Sequence, residues 1–504
     1  MAVTGIDSTA LFHESSFGLN DAAASIIALL LSLDTLSQHA DQLLSAPNTI
    51  GFGLFQGEEF GFLGSRKLAQ DIGQSEKSFS CFNQVSSSSS YINGQDYCLD
   101  PLYPSLSFKQ KLTNNIQSMI AIDQIAHSAE LFIHQPSTST TSTTSPTLSE
   151  IILNAAASDS QFISLASSTD MPPTPLTSFL SLSSSNSQEE GSGVDGVVLS
   201  GYDQSFTDPS YHSNFDTSSN NGGYQDINKD VLVSTSKLLS KSLFDLAQLS
   251  ISSSTSSSSS SVSSNEIEFL VNETLMDELI SCFTIEGFKC QLIESYLYSE
   301  VTSLEHTSGV THSFDYGSSP PSFYTSVLSS SSGLPLFIKN SQVYARYSGD
   351  VGTGKILLQP SVLEMFLRSF LASRLDIQTK EEEEETQVCL TSDDCLDQSC
   401  LDFDNELNGK ECVLGKCVCV LAYYHTAIDT SLTPESTPDH YKISNDVLTP
   451  IYTEPNWYSI GATVYQEAGS LLEFWILSFG VFVCLLSMLG SWRLSRFLET
   501  SSSD

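Results

Sequence analysis

Basic residues are scarce in this chain. Against 59 aspartates and glutamates stand 20 lysines and arginines, a formal charge of -39. A field of that sign repels nucleic acid and anionic lipid headgroups, so nucleic-acid binding is excluded as a main activity. A leader is also missing. The opening "MAVTGIDSTALF" has neither the basic start nor the apolar stretch of a secretory signal, and it reads as the end of a strand running into a loop. The chain is therefore expected to start inside a domain, with upstream residues supplied by a longer product. N-glycosylation sequons are nearly absent too: Asn272-Glu273-Thr274 is the single one.

Apolar residues are not lacking. At 504 residues, 40% hydrophobic, with 28 Phe and 18 Tyr, the chain can bury one large core or two ordinary ones. Phe474 to Trp492, "FWILSFGVFVCLLSMLGSW", holds no charge and approaches the roughly 20 residues an α-helix needs to cross a bilayer core. Trp475 and Trp492 suit the interface, and Arg493 and Arg496 suit the cytoplasmic side. We read 471–492 as a transmembrane helix and 493–504 as a cytoplasmic tail, with everything N-terminal in the lumen or outside the cell. The other reading of this stretch is a buried core helix.

The cysteines suit that compartment. Of 11, Cys484 falls in the span, and the remaining ten form an even set that an oxidising environment would pair. Cys81 with Cys98 and Cys282 with Cys290 are the local pairings expected. The cluster from Cys389 to Cys419 could instead hold zinc, although Asp393, Asp394 and the glutamate run just upstream suggest a solvated loop.

Serine-rich tracts near 85–94, 137–150, 181–193 and 250–265 carry too little apolar surface to offset ordering entropy and are expected to be disordered insertions. Between them sit βα-type units. We expect a helix from Asp21 to about Ser45, a strand at 49–56, a helix from Ser65 to about Ile72, strands at 118–123 and 195–200, and a long amphipathic helix near 229–249. The division is an α/β domain over 1–250, a serine-rich linker at 250–265, and a second part of the ectodomain over 266–470 with an acidic cysteine-rich insertion at 380–420. Alternating buried strands and helices imply an α/β sheet with helices on both faces, whose ligands gather at the carboxyl ends of the strands.

At those ends stand Asp7, Asp21, Glu58, Glu59, Asp123 and, in the loop after 195–200, His212. Carboxylates and an imidazole on one sheet edge are what a two-metal hydrolytic site requires, with one Asp bridging and a spare Glu taking the proton from metal-bound water. The adjacent acids could equally be solvated, His212 a hydrogen-bonded loop residue, and Asp123 a cap or backbone partner.

"GIDS" (5–8), "GLND" (18–21), "GEEFGFLGS" (57–65), Asp123 and His212 resemble, in order, the motifs of the zinc aminopeptidases with co-catalytic metals. That resemblance implies Asp21 as the bridging ligand, Glu58 as base, and Glu59, Asp123 and His212 as ligands. Its first ligand, a His, is replaced by Gly5, which has no side-chain donor. A second resemblance covers nearly the whole chain. Beside the first and third of those motifs, "PPTPLTSFL" (172–180), "GVVLSGYDQSFTDPSYHSNFDTSSN" (196–220), "STSKLLSKSLFDLA" (234–247), "YTEPNW" (452–457) and one C-terminal span are similar to the nicastrin family.

The nicastrin resemblance implies an aminopeptidase-like mixed sheet with helices on both faces plus one C-terminal transmembrane helix, N-terminally truncated here. It implies a glycosylated, single-pass type I protein of the endoplasmic reticulum, Golgi, endosome and plasma membrane. Its role would be the non-catalytic receptor, gate and assembly subunit of γ-secretase. Partners would be presenilin and the other multi-span subunits, with type I membrane-protein stubs as substrates. Glu58 and Phe62 would recognise substrate, Phe62 standing where the family has Tyr. Asp21, Glu59, Asp123 and His212 would be vestigial metal residues, Asn272 the glycan acceptor, and no cofactor is expected, zinc included. The competing class is a membrane-anchored zinc aminopeptidase-like hydrolase with an altered metal site.

Overall fold

The computed structural model describes residues 1–8, 17–73, 116–136, 146–156, 163–186 except 169, 194–219, 223, 225–249, 267–287, 290–297 and 362–375. It also describes short strands between 84 and 103, 326 and 358, and 432 and 443, parts of 388–425, and helical residues within 478–489. The chain divides into two units, Met1–Pro455 and Asn456–Asp504.

The first unit is organised by a six-stranded sheet. Its strands are β1 (Ala2–Gly5), β2 (Phe52–Phe55), β3 (Ser118–Asp123), β4 (Leu131–His134), β5 (Ile163–Leu165) and β6 (Asp195–Ser200), in the spatial order β2-β1-β3-β6-β4-β5. Pairing is parallel except between β4 and β6, where Ile133 opposes Leu199 in an antiparallel ladder. Continuous apolar runs such as "SMIAID" and "GVVLS" form strands here because both faces of a largely parallel sheet are covered.

Alternation along each strand divides the core. Ala2, Ile120, Ile122, Val197 and Leu199 face one layer, and Val3, Met119, Ala121 and Val198 face the other. The second layer is made by α3 (Leu63–Gly73) and α5 (Pro175–Asn186), through Leu68, Ile72, Leu176 and Phe179. The first is built around α1 (Ala24–Ser37), in which every residue but the last is buried. Against it lies α6 (Lys229–Gln248), on which α4 (Leu148–Ala155) packs in turn. Ser240 of α6 bonds the Ser32 hydroxyl at 3.1 Å, a contact between small side chains that lets the helices approach closely. Helices on both faces of a mixed α/β sheet are the expected fold class.

Among the described residues, the helix long and apolar enough to cross a membrane is Leu19–Ser37, and it is almost wholly buried inside the protein. It is the central core helix. Of the span expected at 471–492, the described residues are helical, and their large apolar side chains lie open, Phe479 at 69% and Met488 at 71% exposure.

Three expectations need correction. The helix expected from Asp21 to Ser45 breaks at Gln38–His39 and resumes as α2 (Ala40–Leu44). The tract at 137–150 ends in order: Thr147 and Glu150 form a reciprocal capping box, each side chain bonding the other's backbone amide, and α4 starts at Leu148. The tract at 181–193 begins inside α5, which runs to Asn186. The rest of these tracts, those near 85–94 beyond Val85, and 250–265 lie outside the described residues.

The sequence on either side of 250–265 shares one core. Phe283 from the turn after α7 (Glu273–Ser281) and Phe366 and Phe370 of α8 (Val362–Leu375) join the same cluster as α1 and α6. Cys282 pairs with Cys290 as expected. Cys389–Cys412 and Cys395–Cys417 are also disulfides, so these four thiols are not zinc ligands. Their hairpin joins β7 (Leu407–Val413) to β8 (Lys416–Cys419). The partner expected for Cys98, Cys81, lies outside the described residues.

One ion pair ties the late helix to the core helix. Arg374 Nε of α8 donates to Asp34 Oδ1 of α1 at 2.6 Å, with its guanidinium 5.2 Å above the Phe370 ring. Asp34 is 10% exposed and Arg374 28%, so Arg374→Ala should cost about 1–2 kcal/mol after allowance for solvent, and Arg374→Lys less. Scanning calorimetry checks this; equal Tm values for wild type and the alanine variant would show that the pair does not brace the helices.

Candidate functional site

The motif at 57–65 is a tight turn that only its glycines permit. Gly57 sits at φ 81°, and a Cβ on Gly64 would lie 2.7 Å from the Gln56 carbonyl oxygen, so the chain folds back on itself without room for a side chain. Phe62 also takes a left-handed φ of 61° and is half-buried. The turn is fixed from beneath. The Asp7 carboxyl accepts the Glu58 amide at 3.0 Å and the Glu59 amide at 3.2 Å.

These two glutamates point to different surroundings. Glu58 is buried and accepts from the Ser65 amide at 2.9 Å and the Ser65 hydroxyl at 2.7 Å, and that hydroxyl also meets Ser178 at 2.9 Å. Burial pushes its carboxyl up to about 8, against the lowering effect of the Ser65 bonds. Glu59 instead bonds His212 Nε2 at 2.8 Å, and Asp21 lies 3.6 Å from the same nitrogen. Ligand atoms of Asp21, Glu59 and His212 all fall within 4.8 Å of one another.

Electrostatics make this triad self-compensating. Burial disfavours the charge on His212, but its bonds to Asp21 and Glu59 outweigh that and push the imidazolium up to about 10. Asp21 is pushed well above the usual carboxyl range by burial and by the charge of Glu59. Its Oδ2 is buried without a hydrogen-bond partner. Tyr211 stacks on the His212 ring with centroids 3.8 Å apart, holding that left-handed residue (φ 55°) in place.

Asp123 stands beside the group. It accepts from the Tyr202 hydroxyl at 3.1 Å and from Gln124 Nε2 at 3.2 Å. Burial raises it to about 7, and Glu59 and His212 act on it electrostatically. The structure thus brings Asp21, Glu59 and His212 together with Asp123 nearby, and turns Glu58 away toward Ser65. Asn272 is exposed, and its side chain caps α7 by accepting the Leu275 amide at 3.1 Å.

Sequence reasoning missed a second carboxyl of the Asp7 kind. Asp216 accepts the Asn20 amide at 2.8 Å and the Asp21 amide at 3.1 Å, and so sets where the Asp21 side chain points. Burial raises its carboxyl to about 7. Tyr202 and Tyr211 were missed as well; "GYDQ" and "SYHS" hold them, and an aromatic next to the His was the available signal.

The donor set fits a pair of zinc ions poorly. The unpartnered Asp21 oxygen could take a ligand, but Gly5 offers no donor where the aminopeptidase motif has its first histidine. Sterics do not account for the missing side chain, since a Cβ on Gly5 would meet Glu58 Cγ at an ordinary 3.5 Å.

Residues 1–244 match the family described as Nicastrin large lobe. A curated relative, nicastrin of Arabidopsis thaliana, is 24% identical over 500 residues, covering 97% of this chain and 60% of the relative. The solved structure described as the crystal structure of the gamma-secretase component nicastrin superposes with a TM-score of 0.58 at 18% identity, over 88% of this chain and 61% of that one. The structure of BSAP, a zinc aminopeptidase from Bacillus subtilis, is matched over 49% of this chain and 46% of that one, at 17% identity and a TM-score of 0.29. The chain thus spans about three fifths of the length of the nicastrins it matches. At these identities the solved nicastrin supports the fold alone.

A carboxyl with a raised folded-state pKa contributes stability that is fully present below its unfolded value, 4.5 for Glu58, and is lost as pH rises through about 8. Glu58→Gln mimics the protonated form at every pH. The variant should therefore gain in Tm relative to wild type between pH 5 and pH 9. A Tm difference that does not change with pH, or that changes in the opposite sense, would mean Glu58 is ionised throughout.

Proposed function

We infer that this chain, whose residues 1–244 belong to the nicastrin large-lobe family, serves as a non-catalytic subunit of a γ-secretase-type intramembrane protease, acting in substrate reception, gating and assembly. The observation that carries the reading is at the strand-end site: position 5, where the aminopeptidase motif has its first histidine, is a glycine with no donor, while His212 lies 2.8 Å from Glu59 and 3.6 Å from Asp21. A donor set one ligand short supports a surface that receives, rather than one that activates water. Protease chemistry would then belong to another subunit, with presenilin and the remaining multi-span proteins as partners and type I membrane stubs as substrates.

In this reading the chain is a single-pass type I protein of the secretory and endosomal membranes, anchored by 471–492. Open apolar side chains on the described helical residues between 478 and 489 support that anchor. The turn at 57–65 faces substrate. Phe62 makes the contact, and Glu58, bonded to Ser65, holds the turn in shape. Asp21, Glu59, Asp123 and His212 are vestigial metal residues. One observation favours the alternative, a membrane-anchored zinc aminopeptidase-like hydrolase: the buried Asp21 Oδ2 that has no partner.

Glu58→Gln separates the two. For a receptor, assembly with presenilin persists and processing of type I stubs changes by no more than a few fold. For a hydrolase, an aminopeptidase turnover sensitive to chelator falls by about 10²- to 10⁴-fold, the contribution typical of a general base. Such turnover in the wild type, lost in the variant, would overturn the receptor reading.

Lumenal placement of the first unit has its own test at Asn272. Glycosylation consumes the amide nitrogen and leaves Oδ1 free to cap α7, so Thr274→Ala removes the glycan and keeps the cap. Expressed in a secretory host, wild type should lose mass on endoglycosidase treatment and Thr274→Ala should not. No difference between them would count against the topology.

A further inference from the structure

Behind the Asp21 triad lies a second constellation that the proposed receptor role does not use. His127 follows β3, Asp208 and Asp216 lie in the loop after β6, and their ligand atoms all fall within 4.8 Å of one another. The side chains of His127 and Asp208 are 12% and 6% exposed, and Asp216 is 2% exposed. We propose that His127, Asp208 and Asp216 form a structural binding site for one divalent cation of the zinc class, which clasps the loop after β6 to the segment that follows β3.

The imidazole is set up as a metal-bound one is. His127 Nδ1 lies 3.2 Å from the Asp226 carbonyl oxygen and so donates its hydrogen there, which in the neutral ring places the lone pair on Nε2. A backbone carbonyl fixing the far nitrogen is the usual outer partner of a ligating histidine. Nε2 faces Asp208 Oδ2 at 3.8 Å, beyond hydrogen-bond reach. Around a tetrahedral ion with bonds of about 2.1 Å, ligand atoms stand about 3.4 Å apart, so the three need only draw inward by about an ångström.

The carboxylates are oriented by groups outside the triad and keep lone pairs for a ligand. Asp208 Oδ2 accepts from Asn20 Nδ2 at 3.0 Å, and its Oδ1 accepts the Ser210 amide at 2.8 Å. Asp216 takes the amides of Asn20 and Asp21. Asn20 Oδ1 in turn accepts the Ala126 amide at 2.8 Å. One imidazole nitrogen with two carboxylate oxygens is a donor set of zinc type and unlike the all-oxygen shell of calcium. The site does not depend on the receptor reading, and it is separate from the Asp21, Glu59, His212 group, for which no zinc is expected.

The test uses the full chain in detergent, stripped with chelator and dialysed against Zn²⁺, with elemental analysis and Tm as readouts. Wild type should hold one zinc and rise in Tm on adding it. His127→Gln and Asp208→Asn should bind at least about tenfold more weakly and lose the Tm response, while His212→Ala should keep both. Equal zinc content in wild type, His127→Gln and Asp208→Asn would overturn the proposal and leave His127 as an ordinary ion-pair partner of Asp208. Zinc lost in His212→Ala alone would also overturn it, by assigning the ion to the other group. The two substitutions act on different loops, so a folding failure in one leaves the other to decide.

Discussion

Two deep carboxyls hold everything at this sheet edge. Asp7 takes the amides of Glu58 and Glu59, and Asp216 takes those of Asn20 and Asp21. In each case a buried acid satisfies two consecutive N–H groups that the start of a helical turn leaves without partners. The acids on those same residues are thereby aimed. Further buried side chains reinforce each place, Glu58 bonding Ser65 across the turn at 57–65 and Asn20 bonding the Ala126 amide at the entry to the core helix.

That layering explains how several acids can share so small a volume. Glu58 is satisfied inward by Ser65, Asp123 by Tyr202 and Gln124, and Glu59 and Asp21 by His212. Glu58 and Asp123 have donors of their own, whereas Glu59 and Asp21 share the imidazole that lies where they meet. Burial alone would make such a cluster prohibitive; the distributed donors offset part of that cost, and the raised carboxyl pKa values mark the remainder.

Much of the fold was readable because its cues are local. "SMIAID" and "DGVVLS" give β3 and β6 at the stated bounds, since strands buried on both faces write a continuous apolar run. The long helix at 229–248 carries its own period. Composition misled where a few polar residues do a definite job: Thr147 and Glu150 look like the end of a serine-threonine tract, yet their reciprocal bonds start α4. At the site, Asp21, Glu59 and His212 could be collected from strand ends and motif order. Asp216 could not, because an acid that serves backbone amides nearly two hundred residues away leaves no spacing to read. His127 was invisible for the same reason.

The core helix has a further consequence for how the chain is made. Leu19–Ser37 is apolar and long enough to pass for a membrane span as it leaves the ribosome. Its polar groups argue against insertion: Ser25, Ser32 and Asp34 would each be costly in lipid, Asp34 by about 2.5–3.5 kcal/mol at mid-bilayer. In the finished protein Ser32 is met by Ser240, 208 residues later, and Asp34 by Arg374, 340 residues later. Until those partners are synthesised, the nascent helix is neither a good span nor a completed core, and it must be kept from both lipid and aggregation. The contact with Arg374 therefore sets the earliest moment at which translation can deliver a closed first unit.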